Sequence, residues 1–466
     1  MKRNLILDVD SYKTSHFYQY PPKTESIFGY LESRGGHYGK TVFFGLQYLL
    51  KEYLLGPVVT GEDIAEADAF CKAHGVPFPL DGWTHILMNH GGKLPVRIRA
   101  VPEGTVVPTG HALMTVESTD PIVPWVATWL ETQLMRLWYP ITVATRSWFC
   151  KKVILEYLVK TANAPLSELP FKLHDFGARG VSSRESAGIG GAAHLVNFQG
   201  SDTIEGIRLA NHYYDAKMAG FSIPAMEHST VTSWGREHEA AAYRNMVTEG
   251  NKRGFKMNAC VSDSYDFFTA VERIWCDELR DLIQIDGHQV VIRPDSGDPA
   301  EVNLKALQIL ERKLGMSQNG KGYKILPPNV RLIQGDGNDD EESIRKVLQK
   351  VTENGYSASN MVFGMGGGLL QKLDRDTQRF AFKVSEITVD GVPRDVRKMP
   401  KTDPSKGSKA GRLDLVVKGG KYTTVPIPAG QVHLNQTEML TVFENGESRL
   451  NITFDAVRRN AEKGMM

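Results

Sequence analysis

Most of the residues in this chain that can do chemistry sit in short polar turns. The turn after Phe221–Ile223 holds Glu227 and His228, an imidazole beside a carboxylate, which suits proton handling or charge stabilisation. Ser229-Thr230 behind them offers a helix N-cap, and a surface histidine capping a helix is the favoured reading of that stretch taken alone. Arg293-Pro294-Asp295-Ser296-Gly297-Asp298 follows the apolar run VVI. Its guanidinium suits phosphate, and its carboxylates suit sugar hydroxyls or a water-bridged metal; because the turn ends a buried strand, this stands ahead of an internal salt bridge with an Asp cap. Gln334-Gly335-Asp336-Gly337 and Gly364-Met365-Gly366-Gly367-Gly368 present backbone N–H groups to a phosphate, or are tight turns needing positive φ. Neither is a Walker A loop, and Leu369 breaks the dinucleotide-binding spacing. His174-Asp175-Phe176-Gly177 with Arg179 offers a ring to stack and a guanidinium for an amide oxygen or a phosphate. A core Phe and a surface ion pair is the alternative there. No Gly-rich ATP loop accompanies this turn, so it is not a kinase motif. Arg236-Glu237-His238-Glu239 lacks HExxH spacing and reads as a solvated helix face.

The elements that must position these turns recur. Seven apolar runs, starting near 171, 194, 221, 258, 289, 330 and 360, each lead into a polar or Gly turn and then a helical pattern. Their turn markers Asp175, Asp202, His228, Asp263, Asp295, Asp336 and Gly366 are 27, 26, 35, 32, 41 and 30 residues apart. A βα unit needs roughly 30 residues. The runs show little alternation, as parallel strands buried on both faces should. The class is α/β: a (β/α) barrel, complete or irregular, or an open doubly wound sheet. In a barrel the turns after the strands open on one face, where active sites sit. The barrel domain is expected over 161–384. Residues 1–160 with 385–466 form a second, discontinuous α/β domain, with a helix over Thr41–Leu55, strands over Leu94–Val116 and an apolar helix Pro124–Trp138 ended by Tyr139-Pro140. Trp125, Trp129 and Trp138 read as core. Lys398–Arg412 reads as an exposed loop, and FDAVRRNAEK near the end as a short amphipathic helix.

Composition narrows the function classes. With 55 basic and 54 acidic residues and a formal net charge of +1, nothing calls for nucleic acid or an anionic membrane. A length of 466 residues allows a large core without metal or disulfide staples. Cys71, Cys150, Cys260 and Cys276 form no CxxC pair, and no Cys/His spacing resembles a zinc site. They read as thiols in a reducing compartment. The N-terminal apolar run is too short for a signal peptide, and no stretch approaches a membrane span, so a cytoplasmic protein is expected.

Ten long strings then resemble one family in register: DSYKTSHFYQYPP, ESRGG, GLQYLL, WYPITVAT, HDFGARGVSSRESAGIGGAAHLVNFQGSDT, SIPAMEHSTVTSWG, VSDSYD, IRPDSGDP, IQGDG and FGMGGGLLQKLDRD. They are similar to nicotinamide phosphoribosyltransferases from about residue 8 to the last helix. The resemblance implies a type II phosphoribosyltransferase fold, an irregular α/β barrel with a second α/β domain. It implies a head-to-tail homodimer with active sites at the interface. It implies transfer of phosphoribosyl from phosphoribosyl pyrophosphate to nicotinamide, giving nicotinamide mononucleotide and pyrophosphate, with Mg²⁺ and optional ATP coupling through a phosphorylated His. By resemblance His228 is that histidine, Phe176 and a partner's Tyr12 sandwich the pyridine ring, and Asp202 accepts from the carboxamide. Arg179 lies near the amide oxygen and the 5′-phosphate; Arg293 and Asp295 are ribose and phosphate ligands. Gly335, Asp336, Gly366 and Gly367 make the phosphate cup, Ser222 is counted with the substrate-binding residues, and Arg34, Arg375 and Lys383 of the partner meet pyrophosphate and phosphate. Asp263 is placed near Mg²⁺ or His228, the metal being held through the substrate's pyrophosphate. Ala178 stands where animal members carry Tyr, and Ala259 and Ala381 where they carry Ser. Nicotinate phosphoribosyltransferase, or a non-enzymic ligand-binding protein on the same fold, are the alternatives; Asp202 argues against the first and the intact turns against the second.

Overall fold

A computed structural model describes residues 3–398, 408–428 and 430–465, and divides the chain into two compact units. Most of the Lys/Gly/Ser-rich stretch expected as a loop therefore lies outside the described residues. One unit comprises Met1–Thr145, His212–Ala216 and Leu373–Met466; the other comprises Arg146–Asn211 and Lys217–Lys372. The boundaries fall at 145/146 and 372/373, where the sequence analysis draws them at 160/161 and 384/385. The first lies inside the helix Trp138–Thr161, where periodicity gives no break. The second precedes the strand Phe380–Val389, which pairs along its length with Thr24–Ser33 of the first unit.

In the second unit six of the seven expected turns follow a strand of one parallel sheet; for the run expected from 194 that strand is only Gly200–Ser201, because the helix Arg184–Leu195 still occupies its start. The sheet order is Gly200–Ser201, Leu173–Asp175, Met361–Met365, Val330–Gln334, Gln289–Arg293, Met257–Val261. The seventh run, around Phe221, is not a regular strand: Phe221 bridges Gly200 and Ala225 bridges Ala259, both in parallel sense. Ser201 N–H donates to the Phe221 carbonyl at 3.0 Å and Ala259 N–H to that of Pro224 at 2.9 Å. Pro224 has no N–H to give, which interrupts the ladder there. These bridges join the two sheet edges, so the strands close into a barrel rather than an open doubly wound sheet. Side chains two apart on each strand line its lumen, with Ala259, Val291 and Ile333 packed against Phe176, Ile223 and Val362.

The other unit is built on an antiparallel sheet in the order Val392–Asp395, Phe380–Val389, Thr24–Ser33, Ala112–Ser118, Val96–Ala100, Leu440–Glu444, Glu447–Ser448. Trp83, Trp125 and Trp129 are buried in its core, and Trp138 packs against it. Two helices differ from expectation. Within Thr41–Leu55, Lys40–Val42 is a strand, and helix begins only at Leu46 after Gly45, which sits at φ +103°. The apolar stretch after Pro124 forms two short helices, Val126–Trp129 and Glu131–Met135. Tyr139-Pro140 does not end a helix but opens Trp138–Thr161, because proline is tolerated in a first turn whose N–H groups have no helical partner. All four cysteines are buried and free. Among the described residues no helix is long and apolar enough to cross a membrane.

Candidate active site

Two cavities meet at the mouth of the barrel. One, of about 550 Å³, runs down the lumen between apolar walls such as Ile223, Ala259, Val291 and Ile333, and ends among Lys172, Gln289 and Arg331. The other, of about 430 Å³, lies at the rim among Arg179, Asp295, Gly335, Asp336, Gly366 and Gly367. Phe176, Asp202 and Arg293 line both. An apolar slot and a polar cup thus share one aromatic ring, one carboxylate and one guanidinium.

The local sequence explains each placement. Phe176 follows the strand Leu173–Asp175, and its N–H donates to the Met365 carbonyl at 2.9 Å. Its ring lies against Gly364, where a Cβ would fall 2.0 Å from Phe176 Cε2. Asp175, buried behind it, accepts the Gly177 N–H at 2.7 Å through Oδ1, and burial pushes its carboxyl up to about 6. The Asp175 carbonyl also accepts the Asp202 N–H at 2.9 Å. Ser222 Oγ donates to Asp202 Oδ1, and Asp202 lines both cavities. At the Gly335 turn a Cβ would lie 2.1 Å from Asp295 Oδ1 and 2.9 Å from Arg293 Cδ, so glycine is what allows the Arg293–Asp295 turn to pack there. Buried Asn338 donates to the Gln334 and Gly364 carbonyls, each at 3.1 Å, and so ties the two Gly-rich turns together.

His228, Asp263 and Asp295 form a second group joined to the rim through Asp295. His228 Nε2 is 3.0 Å from Asp263 Oδ1, and its Nδ1 is 4.0 Å from Asp295 Oδ2. Asp263 Oδ2 accepts the Asp295 N–H at 3.0 Å and the Ser296 hydroxyl at 2.5 Å. A carboxylate oxygen only accepts, so Nε2 donates to Asp263, while Nδ1 is turned toward Asp295. Burial raises the Asp295 carboxyl above its ordinary value, with Arg293 opposing. Arg293 Nε is buried without a hydrogen-bond partner, its nearest carboxylate oxygen being Asp295 Oδ1 at 3.7 Å. An orphaned donor beside a polar cup fits an anionic ligand. Oxygen donors at the rim suit Mg²⁺ in type. Among the described residues, however, no three side chains there bring ligand atoms together as a metal cage does. Among the described residues the rim thus offers oxygen donors of a suitable type without a preformed metal cage.

Several sequence readings change. The helix after His228 is His228–Thr232, capped by Glu227 rather than by Ser229-Thr230, with Glu227 N–H donating to Thr230 Oγ1 at 3.3 Å. Of Arg236–Glu239 the first three residues are exposed, but Glu239 is buried and accepts the Tyr243 hydroxyl at 2.7 Å. The capping carboxylates prove to be Asp298 and Asp340, which accept from Glu301 N and Ser343 N, so Asp295 and Asp336 are left to the rim. Tyr12, Arg34, Arg375 and Lys383 lie in the antiparallel unit. There Arg34 N–H donates to the Arg379 carbonyl at 3.3 Å, and Lys383 pairs with Tyr30. Sequence reasoning passed over Asn338 and the packing role of Gly364; a buried polar residue between two Gly turns is the signal for the first.

A parallel barrel with loaded C-terminal turns, in a chain that also carries a separate antiparallel unit, is the type II phosphoribosyltransferase fold. Two solved structures share it: nicotinate-nucleotide pyrophosphorylase from Pyrococcus furiosus (TM-score 0.62, 14% identity, 99% of this chain and 98% of that one) and human nicotinic acid phosphoribosyltransferase (TM-score 0.55, 17%, 97% and 93%). The profile of the nicotinate phosphoribosyltransferase (NAPRTase) family matches residues 171–447, and that of the nicotinamide phosphoribosyltransferase N-terminal domain matches 4–98. The nicotinamide phosphoribosyltransferase of Xanthomonas campestris pv. campestris (strain 8004) is 52% identical over 98% of both chains. That of Acinetobacter baylyi is 31% identical over 98% of this chain and 96% of its own. The chain belongs to the nicotinamide phosphoribosyltransferase family.

Proposed function

We propose that the protein transfers the phosphoribosyl group of phosphoribosyl pyrophosphate to nicotinamide, forming nicotinamide mononucleotide and pyrophosphate in pyridine-nucleotide salvage. The observation that carries this reading is the junction of the apolar and polar cavities at Phe176, Asp202 and Arg293. A flat aromatic base fits the first side, and a sugar phosphate fits the second. The Phe176 ring stacks on the pyridine, with Tyr12 of a second copy on its other face. The pyridine nitrogen attacks C1 of the ribose while the bond from C1 to the pyrophosphate oxygen breaks, that oxygen taking the electron pair. Arg293, with its unpartnered Nε, and the N–H groups of the Gly366–Gly367 turn hold the phosphates. Arg179 sits near the amide oxygen and the 5′-phosphate, and Gly335 and Asp336 border the same cup. Asp263 or Asp295 would stand near a Mg²⁺ carried by the pyrophosphate, which would supply positive charge for the leaving group. Arg34, Arg375 and Lys383 of a second copy do the same from across a homodimer interface. ATP is an optional co-substrate, its γ-phosphoryl passing to Nδ1 of His228, the ring nitrogen not engaged by Asp263, with ADP as the leaving group. The setting is cytoplasmic, with neither nucleic acid nor membrane as partner.

Base choice follows from Asp202. A carboxylate held by Ser222 accepts a bond from a carboxamide NH₂ and repels the carboxylate of nicotinate, a juxtaposition that costs several kcal/mol when desolvated. Replacing Asp202 by Asn or Ser should shrink the nicotinamide-over-nicotinate ratio of kcat/KM by at least about tenfold, 1.4 kcal/mol. Variants that keep the wild-type ratio would remove Asp202 from this role.

A further inference from the structure

In the antiparallel unit, among residues that have no part in the site above, two imidazoles converge on one carboxylate. His85 Nε2 lies 2.8 Å and His90 Nε2 2.6 Å from the same oxygen, Asp120 Oδ2, and the three ligand atoms all lie within 4.8 Å of one another. We propose that His85, His90 and Asp120 form a binding site for one divalent transition-metal ion of the Zn²⁺ type.

The donor set selects the ion. Two imidazole nitrogens and one carboxylate oxygen suit Zn²⁺, Co²⁺ or Ni²⁺, whereas Mg²⁺ and Ca²⁺ take oxygen ligands. Zinc–ligand bonds of about 2.0–2.2 Å at tetrahedral angles put ligand atoms roughly 3.3 Å apart. The hydrogen-bonded separations need open by only about half an ångström to admit the ion, which leaves a fourth position to water. The side chains are 16% (His85), 27% (His90) and 12% (Asp120) exposed, enough for an ion to enter from solvent.

The carriers of these ligands are fixed. His85 and His90 belong to the helix Leu80–His90, which Trp83 anchors by packing edge-on against Trp125 and Trp129, both with ring centroids 5.3 Å away. Asp120 follows the strand Ala112–Ser118, and its Oδ1 accepts the Ile122 N–H at 2.7 Å, which sets the carboxylate plane. Its own N–H and carbonyl are 3.2 and 3.0 Å from Ser118 Oγ. This is the outer-shell support a metal-ligating carboxylate needs. The bound ion would clip the end of the helix to the loop after the strand and takes no part in the transfer reaction.

The test uses tag-free, chelator-stripped full-length protein titrated with Zn²⁺ against a chromophoric chelator, and with Co²⁺ followed in the visible. The expected result is one ion per chain, visible bands of a four- or five-coordinate Co²⁺ site, and a Tm that rises with Zn²⁺. The double variant His85→Gln/His90→Gln should lose both the ion and the Tm shift. Asp120→Asn, which preserves shape, should weaken binding by at least about tenfold. No stoichiometric uptake by the wild-type protein overturns the proposal and leaves a metal-free hydrogen-bonded cluster. Undiminished binding in the folded double variant overturns it too, by placing the ion elsewhere. Should the double variant not fold, unchanged affinity in Asp120→Asn is the overturning result.

Discussion

Replacing Gly364 by Ala puts the aromatic platform under direct load. The new Cβ would lie 2.0 Å from Phe176 Cε2, 2.3 Å from Cδ2 and 2.9 Å from Cζ. Carbon atoms in contact prefer about 3.5–4.0 Å, so the ring must retreat by roughly 1.5 Å. The backbone cannot share that movement easily. Gly364 pairs with His174, and Phe176 N–H is bonded to the Met365 carbonyl at 2.9 Å. The shift therefore falls on the Phe176 side-chain torsions, at about 0.5–1.5 kcal/mol of rotamer strain. Because Phe176 lines both cavities, this displaces the stacked base relative to the sugar. Misplacing a reacting group by about 1 Å costs on the order of 10²-fold in rate. Steady-state assays varying nicotinamide and phosphoribosyl pyrophosphate separately should show kcat/KM for nicotinamide down by about 10–100-fold and KM for the sugar phosphate little changed. Combined with Phe176→Ala the two effects should be less than additive, since the clash has lost its partner. A folded Gly364→Ala protein with unchanged kcat/KM for nicotinamide, or full additivity with Phe176→Ala, would refute the assignment of the ring.

Asp175 predicts a pH effect on stability. Its carboxyl is pushed up to about 6 by burial, above its unfolded value of about 3.9. Stability tied to the protonated form is complete below the unfolded value and is lost as pH rises through 6. Asp175→Asn keeps an acceptor for Gly177 N–H without the charge, so its advantage in urea unfolding should grow from near zero at pH 4 to about 2–3 kcal/mol at pH 8; an advantage independent of pH would contradict this. His228→Asn should abolish ATP-stimulated turnover and acid-labile phosphoenzyme while leaving ATP-independent transfer measurable, and persistence of the labelled phosphate would exclude His228. If a second copy completes each site, Arg375→Ala and Asp295→Ala proteins should each be nearly inactive, yet an equimolar, freely exchanging mixture should recover about a quarter of wild-type activity, because about half of its dimers are mixed and each of those has one intact site. Absence of recovery in demonstrably mixed dimers would place Arg375 in its own chain's site or in none.

The barrel was legible because its signal is local. An apolar run such as VVI before Arg293-Pro294-Asp295 announces both a doubly buried strand and the turn that ends it, and seven such runs at similar spacing identify the architecture. Even the irregular run betrays itself through Pro224, which cannot donate to a ladder. What stayed hidden depends on contacts between distant residues. The Gly364 requirement comes from a ring 188 positions earlier in the chain, and the Gly335 requirement from the side chains of Arg293 and Asp295. Asp298 and Asp295 look equivalent in sequence, yet one caps a helix and the other faces a cavity. His85, His90 and Asp120 match no metal-binding spacing, because strand and helix packing brings the third ligand in from 30 residues away. Tyr139-Pro140 misled because proline marks helix starts as well as stops.

The central claim is that Phe176, Asp202 and Arg293 join a base slot to a phosphate cup and select nicotinamide. Its most direct test is to incubate the purified protein with phosphoribosyl pyrophosphate, Mg²⁺ and equimolar nicotinamide and nicotinate, and to resolve the products by mass. Nicotinamide mononucleotide with stoichiometric pyrophosphate and little nicotinate mononucleotide is predicted. Formation of nicotinate mononucleotide in equal or greater amount, or of neither nucleotide by folded protein, would contradict it.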